Sequence, residues 1–93
     1  MRTIERTGAF KRDYKRLLSN PRHRDIDQLF GDLLKLLLED AVFDARYRDH
    51  ALTGEWKDHR DCHVKPDLVL IYRKPDDRVL QLVRIGSHSD LGL

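Results

Sequence analysis

The chain has 93 residues, of which 40% are apolar and 37% are charged. This length supports one domain over residues 1–93 and excludes two independent cores, and the apolar content exceeds that of a disordered chain. The formal net charge is only +2, but residues 1–24 carry eight basic and two acidic side chains, a local net charge of +6. Such a basic segment favours a polyanionic partner such as nucleic acid, although a solvated helix face is an equally ordinary source of such charge.

The sequence also indicates the compartment. No apolar run approaches the roughly 20 residues that a membrane span requires, so we expect no membrane association. Residues 1–6 lack the apolar region and the cleavage site of a secretory signal. The single cysteine, Cys62, agrees with a reducing environment. We therefore expect a cytoplasmic protein.

The first half of the chain predicts a short strand and a helix. Residues 1–6 are compatible with an opening strand, and Thr7 is a suitable N-cap for the helix that follows. The apolar positions of this helix follow the i, i+4, i+7, i+8 rule: Phe10, Tyr14, Leu17 and Leu18. Its opposite face is basic and comprises Lys11, Arg12, Lys15 and Arg16.

A second, longer helix is predicted after the break at residues 19–21. Asn20 is the expected N-cap and Pro21 the expected first helical residue. The helix is amphipathic, and its apolar stripe comprises Ile26, Leu29, Phe30, Leu33, Leu34 and Leu37. Residues 41–53 lose this periodicity and read as a loop, which contains Tyr47, Asp49 and His50.

The second half of the chain predicts strands at residues 55–57, 60–65, 68–73 and 79–85, separated by turns at residues 66–67 and 75–77. Residues 68–72 are apolar throughout, so this strand should be central and covered on both faces, with the two helices as the cover. The expected fold class is α+β: an N-terminal strand and a helical hairpin packed on a small, mainly antiparallel sheet of four to five strands.

A regular two-residue turn at Pro66–Asp67 would place His63 opposite Leu70. Val69 and Ile71 would then share the core face with the alternate residues of the preceding strand, Cys62 and Val64. On this prediction His63 projects from the face opposite to the core, close to Asp67.

The five histidines are the most informative feature of so short a chain. Imidazoles give and take protons near neutral pH, and a guanidinium stabilises a pentavalent phosphate, so histidines with Arg84 suit RNA cleavage by the adjacent 2′-hydroxyl, without a metal or other cofactor. For any single histidine, an ordinary surface role is the more common explanation. A metal site of His59, Cys62 and His63 is disfavoured, because strand spacing places the two histidines about 13 Å apart.

Three stretches of the chain, residues 47–57, 60–72 and 84–88, carry a family resemblance. Together with the helical hairpin, they resemble the YafQ-type toxins of the RelE/ParE superfamily over most of the chain. The resemblance implies a RelE-like fold and the toxin of a bacterial type II toxin–antitoxin pair. It further implies a partner antitoxin of the DinJ/RelB type, and an endoribonuclease that cuts mRNA in the A site of the 30S ribosomal subunit.

Residue by residue, the resemblance implies five catalytic positions: His50, His63, Asp67, Arg84 and His88. Contacts with 16S rRNA are assigned to the basic helix face, Lys11, Arg12, Lys15 and Arg16, together with Arg22 and Arg24. The sequence departs from the family at two positions that bear on base stacking and codon preference. Leu68 replaces a common tryptophan, and the C-terminal residues 91–93 lack an aromatic.

The sequence thus predicts a metal-independent, ribosome-dependent endoribonuclease. The alternative is a non-enzymatic protein on the same fold, either a ParE-like inhibitor of DNA gyrase or a nucleic-acid-binding module. The joint presence of three histidines, a carboxylate and an arginine favours the enzyme, because binding alone does not need an acid–base set.

Overall fold

A computed structural model describes residues 2–93. A five-stranded sheet carries a helical hairpin on one face, and a short third helix follows the last strand. The predicted α+β class is confirmed. No helix in this part of the chain is long and apolar enough to cross a membrane.

The sheet has the strand order β1-β5-β4-β3-β2. Its strands are β1 (Thr3–Arg6), β2 (His50–Ala51), β3 (Arg60–Lys65), β4 (Leu68–Arg73) and β5 (Val79–Gly86). β1 pairs with β5 in parallel, and all other pairs are antiparallel. The predicted opening strand and the last three predicted strands are present to within one residue over the described part of the chain, and Met1 lies outside it.

Helix α1 (Gly8–Leu18) begins where it was predicted. The Thr7 hydroxyl accepts a hydrogen bond from the Phe10 N–H at 3.0 Å, which satisfies one of the free donors of the first turn. Phe10 is buried and Tyr14 and Leu17 pack against the core. The assignment of Leu18 to the apolar face is wrong, since this side chain is exposed.

Helix α2 (Ile26–Leu38) begins later than predicted. Asn20 does act as a cap, with Pro21 at the first position, but of a separate 3₁₀ turn over Pro21–His23. The residue before α2 is Asp25, whose backbone (φ −94°, ψ 7°) is not extended as in a usual N-cap and whose side chain makes no capping hydrogen bond. Its carboxylate pairs with Lys65 Nζ at 2.7 Å. The predicted stripe faces the sheet, with Leu33 and Leu37 fully buried.

The segment between α2 and β3 holds two 3₁₀ turns, Ala45–Tyr47 and Gly54–Trp56, and the short strand β2. The strand predicted at residues 55–57 is therefore wrong. Gly54 and Asp58 both have positive φ values, +67° and +69°, so the chain reverses at each end of this segment and cannot extend between them. The loop predicted over residues 41–53 is correct except for these short elements.

The predicted pairing of β3 with β4 is wrong by one residue. Lys65 pairs with Leu68 as expected, but His63 pairs with Val69 and not with Leu70, because a bulge lies between His63 and Lys65. Such an extra residue shifts the register by one position, so the residues paired beyond it point to the other face of the sheet than regular pairing predicts. His63 still lies on the face away from the helices, now together with Val69 and Ile71.

The two faces of β4 have different covers, which corrects the expectation that the helices supply both. The helical hairpin packs against Leu68, Leu70 and Tyr72. The opposite face holds a smaller cluster of Val69 and Ile71 with Leu91, flanked by Leu52, Trp56 and Val83. Leu91 belongs to α3 (His88–Leu91). The second face is thus only partly covered, and polar residues surround its small apolar cluster.

Candidate active site

The face of the sheet away from the hairpin carries the predicted site. Register places one row of residues across four strands: His50, Asp61, Ile71 and Arg84. A second row comprises His63, Val69 and Gly86, and His88 follows two residues beyond the end of β5. Neighbouring strands lie about 4.8 Å apart, and the rows are separated by about 7 Å. His50, Arg84 and His88 are the members of this set with exposed or partly exposed side chains, whereas Val69, Ile71 and Asp61 are buried.

His63 and His88 form the centre of the site. Their ring centroids are 5.0 Å apart, and His63 is only 8% exposed. His88 is the first residue of α3 and is fixed there by a capping box in which Ser87 and Asp90 bond to each other's backbone N–H groups at 3.1 and 3.3 Å. The pair is therefore held by a strand on one side and by a capped helix start on the other.

Asp67, from the β3–β4 turn, bonds to this pair. Its Oδ1 lies 3.1 Å from His88 Nδ1. Because a carboxylate accepts hydrogen bonds, the His88 ring donates through Nδ1. Nε2 is then the ring nitrogen that is free to contact another group. The hydrogen bond from His88 lowers the pKa of Asp67. The side chain of Asp67 is largely exposed, and the carboxyl stays ionised at neutral pH.

His50 has its own tautomer-fixing contact. Nδ1 lies 2.7 Å from the Arg48 carbonyl oxygen, which can only accept, so the proton sits on Nδ1 and Nε2 has a free lone pair. Asp49 holds the preceding segment to the sheet, because Arg60 Nη2 donates to it at 2.9 Å and Tyr72 donates from its hydroxyl. Asp49 is therefore a structural residue that places His50 over β3.

Arg84 reaches the site from β5 but is paired with a residue that the sequence did not single out. Its Nε and Nη2 donate to the two carboxylate oxygens of Asp13 at 2.6 and 3.1 Å. Asp13 also accepts from the backbone N–H of Ile85 at 3.2 Å. A guanidinium has five N–H groups, so three remain for a phosphate while this ion pair fixes the plane of the group.

Asp61 is a second residue of this face that the sequence did not single out. Its side chain is 4% exposed, and Oδ1 lies 3.0 Å from His50 Nδ1. Burial raises the pKa of this carboxyl, and the histidines His50, His63 and His88 oppose that rise. A sequence signal existed, because residues two apart on a strand share a face and Asp61 precedes His63 by two positions.

The predicted RNA-binding residues are exposed: Lys11, Arg12, Lys15, Arg16, Arg22 and Arg24. A cleft of about 460 Å³ connects part of this surface to Asp67, the residue that bonds to His88. It is lined on one side by Arg16 and Arg22, and on the other by Lys65, Asp67 and Ser87. Lys65 Nζ bonds to the Arg22 carbonyl oxygen at 3.1 Å, which joins the two sides. The basic surface and the predicted site are thus continuous.

Cys62 and His59, two residues of the disfavoured metal site, have other surroundings. Cys62 belongs to the helix-side core, and burial raises the pKa of its thiol. His59 packs edge-on against Trp56 with ring centroids 5.4 Å apart. Within residues 2–93, no group of three or more His, Cys, Asp or Glu side chains is arranged to hold a metal ion.

Comparison with known proteins gives a consistent result. A family profile described as "Bacterial toxin of type II toxin-antitoxin system, YafQ" matches residues 2–92. The chain is 42% identical over 91 residues to the mRNA interferase toxin YafQ of Escherichia coli strain K12, and the alignment covers 97% of this chain and 95% of that protein.

Solved structures of similar chains have the same fold. A chain in the crystal structure of the E. coli DinJ–YafQ complex superposes with a TM-score of 0.81 at 39% identity, over 98% of both chains. A metal-bound toxin from Helicobacter pylori superposes with a TM-score of 0.85 at 40% identity, over 98% of this chain and 99% of that one.

Proposed function

This chain belongs to the YafQ family of type II toxin–antitoxin toxins, and from that premise we propose that it is a ribosome-dependent endoribonuclease that cuts mRNA in the ribosomal A site. The observation that carries the proposal is the set of His50, His63 and His88 on one face of the sheet, two of them with the proton fixed on Nδ1. A pure binding surface has no need for rings held in this way.

The proposed reaction is transesterification. A histidine or Asp67 takes the proton of the 2′-hydroxyl, and the resulting oxygen attacks the adjacent phosphorus. The bond to the 5′-oxygen breaks, and a second group of the set gives that oxygen a proton. The products are a 2′,3′-cyclic phosphate, which water can open to a 3′-phosphate, and a 5′-hydroxyl end. One P–O bond replaces another, and one proton is taken up and one released, so the reaction needs no oxidant or reductant.

Arg84 has the electrostatic role in this scheme. The phosphorane gains negative charge as the 2′-oxygen attacks, and a fixed cation stabilises that charge without reorganising. The Asp13 carboxylate holds the guanidinium through two N–H groups, and the remaining three are available to phosphate oxygens. Its register row, which it shares with Asp61 and His50, supports a role on the same strand of RNA.

We further propose that cleavage needs no metal, because imidazole groups can supply both proton transfers. The H. pylori relative is described as metal-bound, so the point has to be tested on this protein. Added EDTA, at a level that leaves ribosomes intact, is expected not to abolish cleavage. Loss of cleavage that returns on adding a metal would contradict this part of the proposal.

The exposed basic residues of α1 are proposed to bind 16S rRNA. Reversing the charge of Lys11, Arg12, Lys15 and Arg16 is expected to weaken ribosome binding. It should also flatten the dependence of log affinity on log salt by about 0.7 for each lost phosphate contact. The measurement is the affinity for 70S ribosomes at several salt concentrations.

The control for this docking prediction is reversal of Lys35, which is exposed on α2 and should have a smaller effect. Single-turnover cleavage within the bound complex should survive the α1 reversal, since these residues lie outside the histidine site. An unchanged affinity at all salt concentrations would make the α1 face an ordinary solvated surface.

The proposed partner in the cell is a small antitoxin similar to DinJ, as in the E. coli complex. A flexible segment with acidic and apolar residues would complement the positive charge of residues 1–24. Expression of the toxin alone is expected to arrest growth, and co-expression with the neighbouring antitoxin is expected to restore it and to yield a co-purifying complex.

Growth also separates the enzyme from a non-enzymatic toxin. The arrest should disappear in the double variant His63→Ala, His88→Ala, provided that circular dichroism shows it to be folded. Toeprinting on translated mRNA should show cuts in the A site for the wild type only. Persistent arrest by the folded double variant would refute the ribonuclease and make DNA gyrase supercoiling the next activity to measure.

A further inference from the structure

Asp61 has a combination of burial and charge that packing alone does not explain. Its side chain is 4% exposed, yet Oδ1 accepts no hydrogen bond from any group in the described part of the chain. A buried carboxylate without such partners destabilises a fold. Residues that cost stability in this way are often retained for function.

The surroundings of Asp61 indicate what that function is. His50, from β2, is its register partner and places Nδ1 3.0 Å from Oδ1. His63 follows two positions later on the same face of β3, and His88 acts on the carboxyl from α3. Asp49, before β2, is the other charged group that acts on it. Arg84 lies two strands away in the register, and its guanidinium is bonded to Asp13 of α1. Asp61 is thus a buried carboxyl group next to His50, His63 and His88.

From this geometry we propose that Asp61 is a positioning residue, which orients the His50 ring and stabilises the protonated form of His50 and His63 during proton transfer. The inference rests on the proposed ribonuclease function. The Arg48 carbonyl fixes the neutral tautomer of His50 through Nδ1, so Nε2 takes the proton from substrate. The positive charge that then develops on the ring lies next to the Asp61 carboxylate, in a site where water screens it weakly.

The Asp61 carboxylate affects both the pKa of the histidines and the stability of the fold. An ionised carboxylate favours the imidazolium form, so removing it lowers the histidine pKa. Burial raises the pKa of Asp61 itself, so the ionised group costs stability at neutral pH. That cost is lost as the pH falls through the folded-state pKa of Asp61. A variant with a neutral residue of the same shape should therefore be as stable as the wild type or more stable at pH 7. This difference in stability should disappear near about pH 4, where the wild-type carboxyl is protonated as well.

The test is Asp61→Asn, with Asp77→Asn at an exposed position as the matched control. In the free toxin, NMR titration of the ring signals should show a lower His50 midpoint in Asp61→Asn than in the wild type, a smaller decrease for His63, and no change in the control. The melting temperature at pH 7 should not fall. Single-turnover cleavage of ribosome-bound mRNA should decrease by about 10- to 100-fold, with the pH profile displaced in the same direction.

Unchanged titration of both His50 and His63 in folded Asp61→Asn would overturn the proposal. A lowered melting temperature with wild-type titration would identify Asp61 as a packing residue instead. If Asp61→Asn does not fold, His50→Gln provides the reciprocal measurement, because loss of the imidazolium should raise the pKa of Asp61 followed by carbon NMR. No change there would overturn the proposal equally. If the wild type does not cut ribosome-bound mRNA, the proposed function fails while the titrations still decide the role of Asp61.

Discussion

Replacing His63 or His88 by alanine is expected to reduce single-turnover cleavage of ribosome-bound mRNA by about 10²–10⁴-fold, with little change in ribosome affinity. The rings lie 5.0 Å apart at the centre of the site, and groups that transfer protons act mainly in the transition state. The measurement is the rate of appearance of the cut end, at saturating toxin, on ribosomes programmed with a defined codon in the A site.

His59→Ala is the matched control for these two variants. His59 is not one of the three site histidines, and its ring packs against Trp56. The substitution therefore removes an imidazole ring without changing the site. It should cut at nearly the wild-type rate. If both His63→Ala and His88→Ala do so as well, the proposed acid–base set is wrong.

Asp13→Ala is expected to have the largest effect on stability of any charged residue in α1, about 3 kcal/mol of the free energy of unfolding. The side chain of Asp13 is 5% exposed and that of Arg84 28%, so the substitution leaves a largely buried guanidinium without its partner. It also removes the acceptor of the Ile85 N–H. Urea unfolding followed by circular dichroism measures the change.

A double-mutant cycle isolates the ion pair from the rest of this effect. In an Arg84→Met background the cost of Asp13→Ala should shrink, because no buried charge is left unpaired. Asp32→Ala, on the exposed side of α2, is the control and should change stability by less than about 0.5 kcal/mol. A loss below about 1 kcal/mol for Asp13→Ala would show that α1 does not anchor the arginine.

Local patterns in the sequence were sufficient for most of the fold. The apolar spacing of α2 predicts the stripe that is buried, and the apolar run of β4 predicts its central place in the sheet. The N-cap of α1 was predictable because the Thr7 contact spans only three residues. The late start of α2 was not, because Asn20 and Pro21 are equally suitable for the separate 3₁₀ turn that they begin, and Asp25 makes no capping hydrogen bond that would mark the helix.

The site shows the same division. All five predicted catalytic residues lie on or beside one face, and the resemblance was needed to select them among other polar residues. Asp13 was missed because its partner Arg84 is 71 positions away, and its place in a basic helix face indicated exposure. Asp61 was missed although the two-residue period of a strand places it beside His63.

The bulge in β3 has a consequence for folding specificity. With β4 oriented as observed, Leu70 and Tyr72 face the helices. Regular pairing without the bulge would join His63 to Leu70 and Asp61 to Tyr72, so both polar side chains would then face the helices too. Burying an ionised carboxylate in that apolar core costs far more than an irregular ladder. His63 and Asp61 therefore help to select the native register of β3. A variant with apolar residues at both positions would lose that discrimination, and slipped and native pairings of β3 would compete during folding.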